Sequence, residues 1–166
     1  MKGTVLVAGI GNIFLTDDGF GPEVARRLAG CELPRNVKVV DYGIRGMHLA
    51  YDLLDGYDGL VIVDALPARG KPGDVVVLEV GPDDLGSGEF DAHGMEPGAV
   101  LATLGSMGGR LPPTYIVGCE PADLEEGIGL TPDVEAAIDR AIDAVLGVLN
   151  EQLAQPPSTP TKEPWS

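Results

Sequence analysis

The chain is poor in aromatic residues, histidine and positive charge. Only 5% of its 166 residues are aromatic, two are histidine, and 11 lysines and arginines stand against 26 aspartates and glutamates. The formal net charge of −15 argues against nucleic acid and against an anionic membrane surface, because both are bound through lysine and arginine. A cationic or metal-bearing partner fits this charge better, although acidity of this kind also serves solubility alone.

Cysteine and long apolar runs are also scarce. Cys31 and Cys119 are the only cysteines and neither belongs to a Cys-x-x-Cys motif, so we expect two buried, reduced thiols. No apolar run approaches the roughly 18 residues of a membrane span. Met1 and Lys2 lead directly into an apolar run without a cleavage pattern, which predicts a cytoplasmic protein.

Apolar, β-branched runs alternate with helical patterns along the chain. Strands are predicted at residues 4–10, 37–41, 59–64, 74–80 and 114–119, with 74–80 at the edge of the sheet. Thr131 and Pro132 are typical of the cap and first turn of a last helix. This order predicts a three-layer α/β/α sandwich with a mostly parallel, twisted sheet of about five strands. We expect one domain over residues 1–153 and a disordered, proline-rich tail over 154–166.

A glycine-rich loop with two aspartates follows the first predicted strand. The turn after Gly9 is of the kind that admits a pyrophosphate at a helix N-terminus. Asp17 and Asp18 would repel that anion, and Phe14 stands where a third glycine is expected. The loop therefore favours a cation.

Three further residues join this loop as candidates for a metal site. Asp41 and Asp64 end the second and third predicted strands, at the sheet edge where α/β folds bind ligands, and either could instead cap a helix or bond a turn. His93 lies in a polar, glycine-flanked loop, whereas His48 fits a solvated helix position. Two carboxylates and one imidazole suit nickel or zinc.

Two motifs in the chain resemble those of the [NiFe]-hydrogenase maturation endopeptidases. The first is Gly-Ile-Gly-Asn at 9–12 followed by Thr-Asp-Asp-Gly-Phe-Gly at 16–21. The second is Gly-Cys-Glu-Pro at 118–121 followed by Gly-Ile-Gly-Leu-Thr-Pro at 127–132. Asp64 and the His93 loop fall at corresponding positions, so the resemblance covers about residues 3–150. One departure is Asp-Tyr-Gly-Ile at 41–44, where many relatives carry Asp-Gly-Gly-Thr, and it bears on substrate choice.

The resemblance implies a protease that cleaves the C-terminal extension from the hydrogenase large-subunit precursor after nickel has been inserted. By position, Asp18, Asp64 and His93 are the residues that would contact nickel, which the precursor presents and the protease does not hold permanently. Hydrolysis would use metal polarisation of the scissile carbonyl, a metal-activated water, or a carboxylate base such as Asp41 or Asp17. Asp17 is otherwise expected to cap the following helix or bond the turn.

Two other classes of function remain open at this point. A non-catalytic, metal-sensing chaperone of the large subunit would use the same three residues without hydrolysis. A nucleotide-binding α/β enzyme would explain the first strand and its glycine loop. The absence of Gly-x-Ser-x-Gly and His-Glu-x-x-His motifs argues against serine and zincin chemistry. A monomer is the simplest expectation for a protein that must reach a large partner's C-terminus.

Overall fold

The computed structural model describes residues 4–44, 46–80, 108 and 111–153. Its strands are Val5–Ile10 (β1), Val37–Gly43 (β2), Gly59–Ala65 (β3), Val75–Val80 (β4) and Thr114–Cys119 (β5). Its α-helices are Phe20–Leu28 (α1), Gly46–Leu53 (α2) and Pro132–Val148 (α3), and none in the described ranges is long and apolar enough to cross a membrane. A 3-10 turn, Thr16–Gly19, precedes α1, and a π turn, Leu149–Leu153, follows α3. The His93 loop and residues 154–166 lie outside the described residues.

The five strands form one sheet in the order β2-β1-β3-β5-β4. β2, β1, β3 and β5 run parallel, and β4 pairs antiparallel with β5 at the edge, as predicted for 74–80. Gly9 of β1 pairs with Asp41 of β2 and with Val63 of β3. The carboxyl ends of the three strands therefore meet at one edge of the sheet.

Helices cover both faces of the sheet, which confirms the three-layer prediction. Residues Val61 and Val63 of β3 pack in a core cluster with α1 and α3, whereas Leu60 and Ile62 pack in a second cluster with α2. Alternate side chains of a strand point to opposite faces, so β3 must be apolar from residue 60 to residue 63 to serve both clusters. This is why it reads as an unbroken apolar run.

The chain order creates a crevice between the ends of β1 and β3. From its carboxyl end, β1 connects to β2 on one side of the sheet, whereas β3 connects to β4 on the other side, so the two loops diverge at this point. Such a topological switch point is where open α/β sheets bind ligands. A Cβ on Gly21 of α1 would lie 2.3 Å from the carbonyl oxygens of Ile10 and Val63, so only glycine lets α1 begin against these strand ends.

Candidate functional site

Asp64 is a buried carboxylate at the carboxyl end of β3. It is 4% exposed, and one of its oxygens, Oδ1, accepts a hydrogen bond of 2.8 Å from the N–H of Ala65. Strand alternation after Ile62 places its side chain on the face covered by α2. Removing a carboxylate from water is costly unless hydrogen bonds or a cation stabilise it, and the N–H of Ala65 supplies one such bond.

Asp18 lies in the 3-10 turn after β1. It is half-buried, and its Oδ2 accepts a hydrogen bond of 2.8 Å from the N–H of Asn12. The turn contacts β3, the strand that ends in Asp64. Gly11 has a φ of +150°, and a Cβ there would lie 1.9 Å from the carbonyl oxygen of Asp18. The glycine therefore allows the turn to fold back onto the end of β1.

Asp17 has a structural role that differs from the one predicted. It is fully buried, and its carboxylate accepts hydrogen bonds of 2.8 to 3.0 Å from the N–H groups of Ala122, Asp123 and Thr131 and from the Thr131 hydroxyl. It does not cap α1, whose N-cap is Gly19 without a side-chain bond. Because the carboxylate is closed off from water and joins the two sequence motifs, Asp17 is also wrong as a candidate base.

The same contact alters the start of α3. Thr131 is the N-cap residue and Pro132 begins the helix, as predicted, with Asp133 and Glu135 in the first turn. The Thr131 hydroxyl makes no capping bond, however, and instead donates to the Asp17 carboxylate. The backbone carbonyl of Thr131 still accepts the N–H of Glu135 at 2.8 Å.

Asp41 lies at the same edge but on the other face of the sheet. It is exposed, and its Oδ1 accepts a hydrogen bond of 2.8 Å from the N–H of Gly43. Val39, two residues earlier, packs with α1 and α3, so alternation directs Asp41 toward α1 and away from the face of Asp64. The two carboxylates thus flank the end of β1 from opposite faces.

The histidine of the predicted site lies outside the described residues. His93 has no described position, and within the described ranges no three histidine, cysteine, aspartate or glutamate side chains are grouped closely enough to hold a metal. His48 is exposed on α2, in agreement with its prediction as a helix residue. Asp18 and Asp64 thus lie on elements that contact each other, and the site of Asp18, Asp64 and His93 stays a prediction.

Glu120 is a buried acid whose role the sequence did not reveal. It is 7% exposed, and its Oε1 accepts hydrogen bonds from the N–H groups of Arg69 at 2.7 Å and Lys71 at 3.1 Å. These bonds fix the loop that follows β3 and hence Asp64. The available signal was a glutamate directly after an apolar strand, within the second motif.

Neither cysteine contributes a nucleophile to this site. Both are free, but Cys31 is exposed, contrary to the expectation that it is buried. Cys119 is buried at the end of β5, and burial raises the pKa of its thiol to about 12. At neutral pH the thiol therefore stays protonated and unreactive.

Replacing Cys119 by alanine is therefore expected to leave the peptidase activity that the family resemblance implies within about twofold of wild type, because no thiolate is lost. The rate of precursor cleavage by the two proteins checks this. Cys31→Ala is the matched control for loss of a thiol. A loss of activity confined to Cys119→Ala, with an unchanged unfolding midpoint, would point to thiol chemistry.

The chain is similar in sequence and in fold to known proteins. A family model for hydrogenase maturation proteases matches residues 22–148. The hydrogenase 2 maturation protease of Escherichia coli is 35% identical over 150 residues, which cover 89% of this chain and 91% of the relative. The solved structure of the hydrogenase maturating endopeptidase HybD of Escherichia coli is similar with a TM-score of 0.76 and 35% identity, covering 89% of this chain and 93% of that one.

A more distant solved structure has the same fold. The [NiFe] hydrogenase maturation protease HybD of Thermococcus kodakarensis is similar with a TM-score of 0.69 and 26% identity, covering 87% of this chain and 98% of that one. The family model and the Escherichia coli relative each span well over half of the chain. With the two motifs, the switch-point crevice and its carboxylates, they establish that the chain belongs to the hydrogenase maturation protease family.

Proposed function

We propose that the chain is an endopeptidase that removes the C-terminal extension of a nickel-loaded [NiFe]-hydrogenase large-subunit precursor. Membership of the family makes it a peptidase, and relatives bear the names hydrogenase 2 maturation protease and [NiFe] hydrogenase maturation protease. The observation that carries the proposal is Asp64, a buried carboxylate at the carboxyl end of β3, the strand that the turn of Asp18 contacts.

Two carboxylates at this position fit a metal that arrives with the substrate. Asp18 offers anionic oxygens from the turn after β1 and Asp64 from the end of β3, and His93 is the neutral imidazole that the family resemblance assigns to them. Such a set suits a divalent transition metal and leaves room for ligands from the precursor. Cleavage then depends on nickel insertion, because an empty precursor lacks the ion that these residues bind.

Hydrolysis requires the scissile carbonyl to be polarised and a water to be deprotonated. The nickel of the substrate supplies the first effect when it lies near the scissile bond. Asp41 remains the candidate base, since Asp17 is sealed by its hydrogen bonds. Because Asp41 and Asp64 occupy opposite faces, this role requires the scissile peptide to pass over the end of β1.

Mass spectrometry of the precursor tests this function. Incubation with the protein is expected to remove a C-terminal peptide from nickel-loaded precursor at least about a hundredfold faster than from nickel-free precursor, because only the former offers the metal. Precursor that binds but stays full-length would indicate a chaperone. Equal cleavage with and without nickel would contradict metal recognition, and thermal stabilisation by a dinucleotide would favour a nucleotide-binding enzyme.

A further inference from the structure

Large apolar side chains are exposed on the loops that surround the candidate site. Phe14 follows β1, Ile44 follows β2 and Ile128 precedes α3, and they are 60%, 73% and 79% exposed. Ile13, beside Phe14, is 49% exposed. Single exposed apolar residues are ordinary, but several on adjacent loops mark a surface for a ligand or a partner.

These exposed side chains line two cavities. The larger, of about 450 Å³, lies between α1 and the segment 128–130, and Ile128 lines it. The smaller, of about 240 Å³, lies between the loops 11–14 and 41–44, and Phe14 and Ile44 line it. Ile13 and Asp41 line both cavities. The two cavities therefore adjoin each other at these residues, and together they are here called the Ile13 groove.

The walls of the Ile13 groove are fixed by hydrogen bonds between distant segments. Gly127 donates its N–H to the carbonyl of Phe14 and accepts the N–H of Thr16, each at 2.9 Å. Thr16 has a φ of +51°, which is strained for a β-branched residue, and its hydroxyl donates to the carbonyl of Glu125 at 2.6 Å. The apolar side chains are thus held at set positions, which lowers the entropy cost of binding.

The charged residues that line the Ile13 groove indicate which kind of segment it binds. Glu23 lies in the larger cavity but is paired with Arg26 and, at 2.7 Å, with Arg27. Asp41 lies between the two cavities and forms no ion pair with any residue in the described ranges. An apolar groove with one uncompensated carboxylate at its middle complements an apolar segment that carries a positive charge.

We infer that the Ile13 groove binds an extended segment of the precursor, with apolar side chains in the two cavities and a cationic side chain facing Asp41. This inference rests on the proposed function, because it takes the precursor as the occupant. Asn12 lines the smaller cavity and donates its N–H to Asp18, so a chain bound there passes beside the turn that carries Asp18. The groove then determines which precursor sequences are accepted.

The test measures precursor affinity apart from cleavage. Binding of nickel-loaded precursor is followed by surface plasmon resonance with the Asp64→Asn protein, so that any weakened metal contact is common to all variants. Ile128→Glu and Phe14→Glu are each expected to weaken binding at least about tenfold, because each removes a large apolar contact and places a charge in the groove. Val77→Glu, at an exposed apolar site on β4 at the far edge of the sheet, is the matched control and is expected to bind normally.

The same assay tests the positive charge of the segment. Asp41→Asn is expected to bind about threefold to fivefold more weakly at low salt and to lose part of the salt dependence, because an ion pair is screened by added salt. Unchanged affinity and salt dependence would overturn this part of the inference, and because cleavage plays no part, a role of Asp41 as base does not affect the result.

Three further outcomes bear on the groove and on the proposed function. Equal binding by Ile128→Glu, Phe14→Glu and Val77→Glu would overturn the groove, even if the wild-type protein cleaves the precursor and the proposed function stands. A wild-type protein that binds but never cleaves would remove the proposed function while these variants still test the groove. If light scattering shows a dimer that Ile128→Glu dissociates, the groove binds a second copy of the chain and the inference is wrong.

Discussion

Asp64→Ala is expected to reduce cleavage of nickel-loaded precursor by about two to three orders of magnitude, on the scale of losing a group that acts directly on the reacting centre. The carboxylate is buried at the end of β3, and alanine leaves no oxygen to contact the metal. Mass spectrometry of the mature subunit over time gives the rate. The unfolding midpoint of the variant shows that the loss is not one of folding.

Asp64→Asn separates charge from ligand geometry at the same position. The amide keeps one oxygen of the same shape but removes the negative charge, so an intermediate rate is expected. His48→Ala is the control for a surface substitution near the sheet, because His48 is exposed on α2, and it should process precursor within about twofold of wild type. Maturation at the normal rate by Asp64→Ala would contradict the metal-recognition hypothesis.

Asp17→Ala is expected to lower the free energy of unfolding by about 3–5 kcal/mol, because it leaves three backbone N–H groups and one hydroxyl without their acceptor. These donors belong to Ala122, Asp123 and Thr131, more than 100 residues further along the chain. Urea denaturation followed by circular dichroism measures the change. A loss of this size approaches the whole stability of a small domain.

Asp18, the aspartate next to Asp17, provides the matched comparison for this loss of stability. Asp18→Asn removes one charge from a half-buried side chain with one described hydrogen bond, from Asn12, so its stability should change by about 1 kcal/mol or less. Its processing rate should nevertheless fall steeply. If Asp17→Ala does not fold, Asp17→Asn takes its place, because asparagine keeps the shape of the side chain. The amide NH2 group then faces N–H donors, so this variant is still expected to destabilise the protein. Equal stability losses at the two positions would contradict the division of roles.

Much of the fold followed from local patterns in the chain. The predicted strand at 114–119 was correct to the residue, and the others differ by one or two residues at their ends. Burial on both faces produces long β-branched runs, and such runs are legible without any tertiary information. Pro132 marked the start of α3 for an equally local reason, since proline lacks an N–H that the first turn does not need.

The roles of the acids depended on contacts that no local pattern contains. Asp17 and Asp18 are adjacent and chemically identical, yet Asp17 is enclosed by a segment over 100 residues away, whereas Asp18 is half-buried and accepts a hydrogen bond from nearby Asn12. The face of the sheet that each strand-end carboxylate occupies likewise required the observed packing of Val39 and Ile62.

The sequence alone determined the order of strands and helices, the family, and the sheet edge that carries the candidate site. These follow from apolar periodicity, turn residues and motifs, all of which are read within a few residues. Only the tertiary structure decided that Asp17 holds two loops together, that Asp41 and Asp64 lie on opposite faces, and that Phe14 and Ile128 flank one groove. Each of these depends on which distant segments meet, because burial and hydrogen bonding are properties of the folded neighbourhood and not of the local chain.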